Sequence, residues 1–267
     1  MLRDITLGQY YRTESIIHRL DPRVKIVGTF VFLIAIFMVN NALGYVIAGL
    51  FLVMNIKLSN VPVKFIFRGM KSIFFLLMIS VLFNLFLTPG DPIITIWKIK
   101  ITDEGLKLAV KMAIRLVFLI TGSSLMTLTT TPNNLTDGLE SLLNPLKLVH
   151  VPVHEISMMM SIALRFIPIL LEETDKIMKA QMARCADFET GSIIKRAKNM
   201  VPLLVPLFIS AFRRAMDLAM AMEARCYRGG EGRTKMKPLI YSKTDYAAYG
   251  VIVLYLVLVV VLGRILF

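Results

Sequence analysis

The chain has 267 residues, 56% of them hydrophobic, and a mean hydropathy of +0.69. Soluble domains rarely combine so high an apolar fraction with long uncharged runs, so the composition favours a membrane protein over a soluble enzyme. The net charge of +13 is also typical of nucleic-acid-binding proteins. No basic stripe is interleaved with aromatic residues, however, and cations that flank membrane segments explain the charge without nucleic acid.

Five apolar segments, in chain order, reach the length at which a helix crosses a bilayer when its ends snorkel. They cover residues 24–39, 42–56, 72–88, about 106–130, and 246–262. Asn40-Asn41 separates the first two as a tight turn, which favours a hairpin of two short helices over one long helix. Arg115 lies within the fourth segment, so we expect it near a membrane interface or facing other helices. The predicted fold is all-α, a polytopic membrane protein with about five transmembrane helices.

The distribution of Lys and Arg predicts how these helices are oriented. The N-terminal segment and the 57–71 loop are rich in both residues, whereas the connection between the first two helices has neither. Because cytoplasmic loops carry the excess of positive charge, the N-terminus, the 57–71 loop and region 132–245 are predicted to be cytoplasmic. The C-terminus is then extracellular. We expect a multi-pass protein of a bacterial or archaeal plasma membrane.

Region 132–245 differs from the rest of the chain because its charges recur at helical spacings. Its longest uncharged run, 199–212, is too short to cross a bilayer. The pattern predicts three amphipathic helices over about 133–148, 152–188 and 192–227. The predicted domains are an N-terminal membrane domain of about four transmembrane helices (1–131), a cytoplasmic domain of three amphipathic helices (132–245) and a C-terminal transmembrane helix (246–267).

The second and third amphipathic helices end in matching sequences. Ala183-Arg184-Cys185 and Ala224-Arg225-Cys226 align at an offset of 41 residues, and an apolar, proline-containing half precedes each. Ala and Cys keep the helix end thin enough to enter a groove, and Arg offers five fixed donors to carboxylates or carbonyls there. An arginine near a helix end is usually only solvated, but two copies in the same context favour docking sites for partner proteins.

The sequence offers little for catalysis or cofactor binding. His150 and His154 stand four residues apart, but Pro152 lies between them, and neither the HExxH metalloprotease motif nor its inverse is present. Glu172 and Glu173 belong to a charge ladder at i,i+4 spacing, which predicts a solvated helix face. No phosphate-binding loop is found, so we expect no metal, no cofactor and no catalytic residue in this chain.

Four segments together resemble one family. They are Leu20-Asp21-Pro22-Arg23-Val24-Lys25, Thr129-Thr130-Thr131-Pro132, Leu164-Arg165-Phe166-Ile167-Pro168, and the paired Ala-Arg-Cys ends. In this order, and over nearly the whole length, the chain is similar to the transmembrane T component of energy-coupling factor (ECF) transporters, the vitamin-importing branch of the ABC transporters.

The resemblance implies a scaffold that passes conformational change from ATPases to a substrate-binding protein during vitamin uptake. Two cytoplasmic ABC ATPase subunits, which hold ATP and Mg²⁺, bind the ends of two coupling helices through an X-Arg-X motif that Arg184 and Arg225 match. The third motif position is commonly glycine in the family. Here it is Cys185 or Cys226, and because both side chains are small we expect little consequence.

The resemblance also implies a membrane partner, the S component, which binds the vitamin and packs on the same helices within the lipid bilayer. A set of methionines, prolines and one arginine in the apolar halves of those helices is expected to contact it. These residues are Met158, Met159, Arg165, Pro168, Pro202 and Pro206.

Two other functions fit parts of the pattern. A self-contained transporter or channel would carry polar groups in its spans for its own solute, and the spans offer little beyond Asn84, Arg115 and Ser123-Ser124. A membrane anchor for cytosolic ATPases would share the docking ends but would not transport. The importer scaffold accounts for more of the sequence than either alternative.

Overall fold

The computed structural model describes residues 10–39, 41–71, 73–88, 92–96, 99–186, 188, 192–230 and 236–265. Helices dominate these residues: α1 (Ile16–Arg19), α2 (Pro22–Met38), α3 (Ala42–Ser59), α4 (Val63–Lys71), α5 (Phe74–Leu87), α6 (Asp103–Thr129), α7 (Pro132–Leu143), α8 (Val153–Ala183), α9 (Ile193–Ala224) and α10 (Lys243–Ile265). A 3-10 helix, Asn144–Val149, follows α7. The predicted all-α, polytopic class is confirmed.

Four helices of the described chain are long and apolar enough to cross a membrane, namely α3, α6, α8 and α10. The other two predicted spans correspond to α2, which has 17 residues, and to the shorter apolar helix α5. Helix α8 differs from the prediction, which placed it in a cytoplasmic or interfacial region with its upstream half suited to the bilayer edge rather than to a span. Its charges gather in the C-terminal half, so the N-terminal half forms an apolar window that meets the composition of a span.

The described chain divides into two compact units. The first, which we call the bundle unit, comprises the described residues of Gly8–Leu142 and Leu239–Phe267. The second, which we call the long-helix unit, comprises those of Leu143–Pro238, including α8 and α9. The predicted domain boundaries at 131/132 and 245/246 concern the membrane surface and stay a prediction.

The core of the bundle unit lies where α2, α3 and α10 meet. Its buried side chains are Phe32, Ala35, Ile36, Val39, Tyr45, Ala48, Leu52, Tyr255 and Val259. The ring of Phe51 stacks on that of Tyr255 with 4.3 Å between centroids. Helix α6 approaches this core closely at Gly122, where a Cβ atom would lie 2.6 Å from Cε1 of Phe32. A larger residue at this position would therefore force the two helices apart.

An unpredicted hairpin precedes α6. Strands β1 (Pro92–Ile96) and β2 (Ile99–Thr102) pair antiparallel, and the register is irregular between Pro92 and Ile94. Thr102 ends β2 and caps α6, because its hydroxyl accepts a hydrogen bond from the amide of Gly105 at 3.1 Å. The same hydroxyl donates to the carbonyl of Thr88 at 3.0 Å. Thr102 thus fixes the start of α6 to the end of α5.

The Leu-Asp-Pro-Arg motif holds the start of α10 against the start of α2. The carboxylate of Asp245 accepts hydrogen bonds from the amides of Asp21 (2.8 Å) and Ser242 (2.7 Å) and from the hydroxyl of Ser242 (2.6 Å). Arg23 donates to Asp21 and, at 2.6 Å, to the carbonyl of Leu239. Because Asp21 and Asp245 are almost fully buried, this network is shielded from water and holds its geometry.

Candidate partner-docking site

Helix α8 ends in a cap that places Arg184 at its last position. The amide of Cys185 donates to the carbonyl of Met182, and the amide of Ala186 donates to the carbonyl of Gln181, both at 3.0 Å. This pair of bonds is the Schellman motif, which satisfies helix carbonyls that would otherwise lack donors. Arg184 occupies the C-cap position, and the chain reverses at Cys185.

Helix α9 ends in the same way. The amide of Cys226 donates to the carbonyl of Glu223 at 2.8 Å, and the amide of Tyr227 donates to the carbonyl of Met222 at 3.0 Å. Arg225 therefore takes the position that Arg184 takes on α8. The sequence repeat at an offset of 41 is thus also a repeat of backbone geometry, and it presents the two arginines identically.

The backbone conformation restricts which residue can follow each arginine. Cys185 and Cys226 have φ angles of 63° and 55°, in the left-handed region. Glycine is the usual residue there because a Cβ atom makes this conformation costly. The sequence predicts that cysteine is tolerated at these positions because its side chain is small. Backbone conformation is the stronger constraint, since a side chain of any size bears the cost of the left-handed angle.

Both arginines are free to bind a partner. Ala183, Arg184 and Cys185 are exposed, as are Ala224, Arg225 and Cys226. Within the described part of the chain, neither guanidinium has an ion-pair or side-chain hydrogen-bond partner. Each can offer its full fork of N–H donors to a carboxylate or carbonyl on another protein.

An ion pair joins the two helices at equivalent positions. Nη2 of Arg214 lies 3.2 Å from Oε2 of Glu173, and these residues are 41 positions apart, the offset of the repeat. Each of them lies ten positions before the last residue of its helix, so both helices extend about 15 Å beyond the pair. Glu173 is therefore an interhelical contact, whereas the sequence analysis predicted a solvated face.

Comparison with known proteins finds relatives along nearly the whole chain. The family described as cobalt transport protein matches residues 13–236. An energy-coupling factor transporter transmembrane protein from Ruminiclostridium cellulolyticum is 52% identical over 267 residues, which cover 100% of both chains. The protein of that name from Clostridium kluyveri is 54% identical over 267 residues, covering 99% of this chain and 98% of its own, and that from Bacillus subtilis is 48% identical over 246 residues, covering 92% and 93%.

The chain belongs to this family of ECF transporter transmembrane proteins. It is accordingly a multi-pass membrane component of a transporter rather than a catalytic subunit. The recognition made from the sequence motifs is confirmed.

The residues predicted to pack against a membrane partner of this ECF component lie on α8 and α9. Met159, Arg165, Pro168 and Pro202 are exposed, and Met158 and Pro206 are partly exposed. The three prolines lie inside their helices, where each removes a backbone hydrogen bond. None of the six is buried in the described chain, but no contact tests the predicted role.

A larger apolar surface on α9 was missed by the sequence analysis, which singled out the prolines. Exposed side chains recur every three or four residues along one side of the helix: Val201, Val205, Phe208, Phe212, Met216 and Met220. Phe212 is 68% exposed and Phe208 is 62% exposed. We call this surface the α9 stripe. The sequence shows the helical spacing of these residues. An amphipathic pattern alone does not indicate, however, whether the apolar face of a helix is buried against the same chain or exposed.

A cavity of about 310 Å³ lies inside the bundle unit between α2, α3, α6 and α10. Its walls are mainly aliphatic and aromatic, and Lys25 and Asn55 are among the few polar residues that line it. The ammonium of Lys25 donates to the carbonyls of His18 and Thr129, and the amide of Asn55 donates to the carbonyl of Phe51. Lys25 bonds the backbone at two helix ends and Asn55 bonds the backbone of its own helix, so the cavity does not favour a dedicated solute site.

Proposed function

We propose that this chain is the coupling subunit of an ECF-type importer, in which α8 and α9 carry movement from two ATPase subunits to a membrane partner. The observation that carries the proposal is the repeated helix end, with Arg184 and Arg225 exposed at identical capped positions. Such a pair suits two similar receptor grooves, as a pair of ATPase subunits would offer. ATP and Mg²⁺ belong to those subunits in this proposal.

The ion pair between Arg214 and Glu173 gives the two helices a common fixed point. The ion pair holds the two helices together at this point when either capped end moves. Because both helices extend about 15 Å beyond the pair, their two ends should move by similar amounts. The charged C-terminal halves suit the cytoplasm, and the apolar, proline-containing segments upstream of them suit the bilayer or its edge. We therefore place the capped ends on the cytoplasmic side, with the N-terminus on the same side and the C-terminus outside.

The α9 stripe is the surface on which we place the S component. Large apolar side chains that are exposed to water promote aggregation, whereas the same side chains beside a membrane protein provide a packing surface. Methionines at two positions of the stripe can repack against different partners. The S component would decide which micronutrient is imported, a vitamin or a metal ion.

Charge reversal at the two capped ends tests the proposal. In cells that carry the ATPase and S-component genes, Arg184→Glu with Arg225→Glu should abolish ATP-dependent uptake, because a carboxylate repels an acidic groove. The ATPases should no longer copurify, while the chain still inserts in the membrane. Lys179→Glu and Arg213→Glu reverse exposed cations that lie about one and three turns before the last residues of the same helices; they serve as controls and should retain uptake.

The alternative functions give different results in the same cells. Full uptake by the double variant would contradict the docking role of the arginines. ATPases that bind without supporting any uptake would favour a membrane anchor. A stoichiometric solute retained by the chain purified without partners would favour a self-contained transporter, and we expect none.

A further inference from the structure

The cavity inside the bundle unit is a groove that opens at the protein surface. Its volume is about 310 Å³, and four of the side chains that line it are exposed, namely Ile16, Met54, Leu58 and Val251. Met54 and Leu58 belong to α3 and Val251 belongs to α10, so these two helices border the opening. Both helices are long and apolar enough to cross a membrane, which places the opening at the depth of the bilayer.

The groove is elongated along the helices that border it. At one end, the ring of Phe51 lines the groove and stacks on Tyr255, which joins α3 to α10. The lining continues along α3 as far as Leu58, seven residues further on, so the groove is about 10 Å long. Its floor is α2, which approaches α10 so closely that a Cβ atom on Gly28 would lie 2.9 Å from Cδ1 of Ile252. The groove therefore runs in the direction that acyl chains take in a bilayer.

The walls of the groove favour an apolar ligand. They are mainly aliphatic and aromatic, and the polar side chains of Lys25, Thr29 and Asn55 each donate to a backbone carbonyl of this chain at 2.8–3.1 Å. Water molecules in such a groove would gain few hydrogen bonds. A chain of methylene groups would instead gain contacts along its whole length.

Two exposed lysines stand beside the end of the groove that lies away from Phe51. Lys57 precedes the lining residue Leu58, and Lys243 precedes Thr244, which also lines the groove. Within the described residues, neither ammonium has a carboxylate partner. Exposed cations at a membrane surface attract anionic headgroups. The rim of the groove is therefore complementary to a negatively charged headgroup, and its interior is complementary to an acyl chain.

We propose that the groove between α3 and α10 holds one acyl chain of an anionic membrane phospholipid, whose phosphate lies beside Lys57 and Lys243. The acyl chain extends from Leu58 toward Phe51 and fills the volume that the helices leave open. Both lysines are exposed, so the headgroup reaches them from the membrane surface without displacing a contact of the described chain. Neutral phospholipids occupy the same groove more weakly, because their headgroups carry no net negative charge.

Photochemical labelling tests the site directly. The full-length chain in maltoside micelles is illuminated with a small amount of phosphatidylglycerol that carries a diazirine in one acyl chain, and peptide mass spectrometry locates the adducts. We expect adducts on Met54, Leu58 and Val251, and unlabelled phosphatidylglycerol should compete for them. Helix α5, which exposes many apolar side chains but does not line the groove, is the internal control. Equal labelling of α5 would overturn the site, and palmitate that competes equally well would overturn the assignment to a phospholipid.

A filled groove should no longer accept the probe. Ala248→Phe adds a ring to the wall of the groove and should remove the adducts. Gly250→Phe adds the same ring to α10 at a position outside the groove, where nothing lies within 4 Å of a Cβ atom, and should keep them. Unchanged adducts in Ala248→Phe would overturn the proposal.

Charge reversal at the rim tests the headgroup with variants that should fold, since both lysines are exposed. Lys57→Glu with Lys243→Glu should weaken phosphatidylglycerol labelling at least about fivefold and leave labelling by the phosphatidylcholine probe nearly unchanged. Lys111→Glu, an exposed cation of α6 outside the groove, should change neither. Equal effects on the two lipids would overturn the role of the rim.

Labelling of the assembled transporter distinguishes a lipid from a protein occupant. The same adducts should form when the chain is purified together with its partners. Loss of the adducts in that complex would assign the groove to a partner protein and overturn the lipid.

Discussion

The bundle unit and the long-helix unit differ in how many apolar side chains they bury. Among the described residues, the long-helix unit contributes only Val153 and Leu203 to the buried apolar side chains, and both assigned core clusters belong to the bundle unit. Yet α8 and α9 are among the longest helices described. A helix of that length gains most of its stability from packing an apolar face. The contrast supports the proposal that partner proteins cover part of the apolar surface of the long-helix unit.

The polar contacts differ in the same sense. In the bundle unit, Asp245 and Asp21 lie buried in a network that ties α10 to α2. In the long-helix unit, the Arg214–Glu173 pair is partly open to solvent, with side chains 38% and 25% exposed. Buried networks fix one geometry, whereas a partly solvated pair can break and re-form at modest cost. This difference suits a rigid membrane part and a long-helix unit that moves.

The largest effect should follow from removing Asp245. Asp245→Ala removes the acceptor of the buried Asp21 amide and of two partly buried donors of Ser242, so we expect a loss of about 3 kcal/mol in stability. Thermal unfolding of the purified chain measures it. Asp217→Ala, an exposed carboxylate on α9, is the matched control and should stay within about 0.5 kcal/mol. Equal losses would contradict the contrast between the units.

The second largest effect should follow from overpacking the core of the bundle unit. Gly122→Leu introduces a side chain where even a Cβ atom would be 2.6 Å from Phe32, so overpacking should cost about 1–3 kcal/mol. Ala219→Leu enlarges an exposed position of α9 and should leave the free energy of unfolding nearly unchanged. If the two substitutions were equally harmful, the long-helix unit would have a packed interior that its exposure does not indicate.

A smaller effect on stability, with a larger one on transport, is expected at the interhelical pair. Glu173→Arg or Arg214→Glu should each cost about 1 kcal/mol or less, because the pair is partly solvated. If the pair is the fixed point of the two helices, each single reversal should reduce uptake. Combining Glu173→Arg with Arg214→Glu restores opposite charges and should recover uptake. Failure of the double variant to recover more uptake than either single variant would exclude a pairwise role.

The sequence was most informative where apolar residues recur over many turns. It predicted α3, α6 and α10 and the starts of α8 and α9 within about three residues. It extended α8 to residue 188, five residues beyond its end at Ala183. The stop is set by the left-handed backbone at Cys185, and cysteine carries no signal for that conformation as glycine would.

Other features could not be predicted from the sequence because they depend on contacts between residues far apart in the chain. The motif around Arg23 was recognised, but its bond to Leu239 joins residues 216 positions apart. Arg115 was predicted to lie near an interface or to face other helices, and it faces α2 through the carbonyl of Val39. The repeat and the family resemblance together predict the two arginines of the docking site, and their role as partner contacts stays a prediction.

The smallest effect concerns the helix ends themselves. Cys185→Gly and Cys226→Gly remove the cost of a Cβ atom in the left-handed region, but glycine also loses more freedom on folding, so a net gain of about 0.5 kcal/mol per site is expected. Cys→Val should have the opposite sign, because a branched side chain tolerates this conformation worst. In the bundle unit, Asn60 caps α3 with φ 53°, and Asn60→Gly should change stability less, since asparagine already tolerates that angle.

Hydrogen exchange of the Ala186 and Tyr227 amides, which close the two caps, reports the local change. Slower exchange in the glycine variants together with unchanged uptake would show that the cysteines act only as residues of the cap, whereas uptake lost in Cys→Gly but kept in Cys→Ser would assign the side chain a contact with a partner.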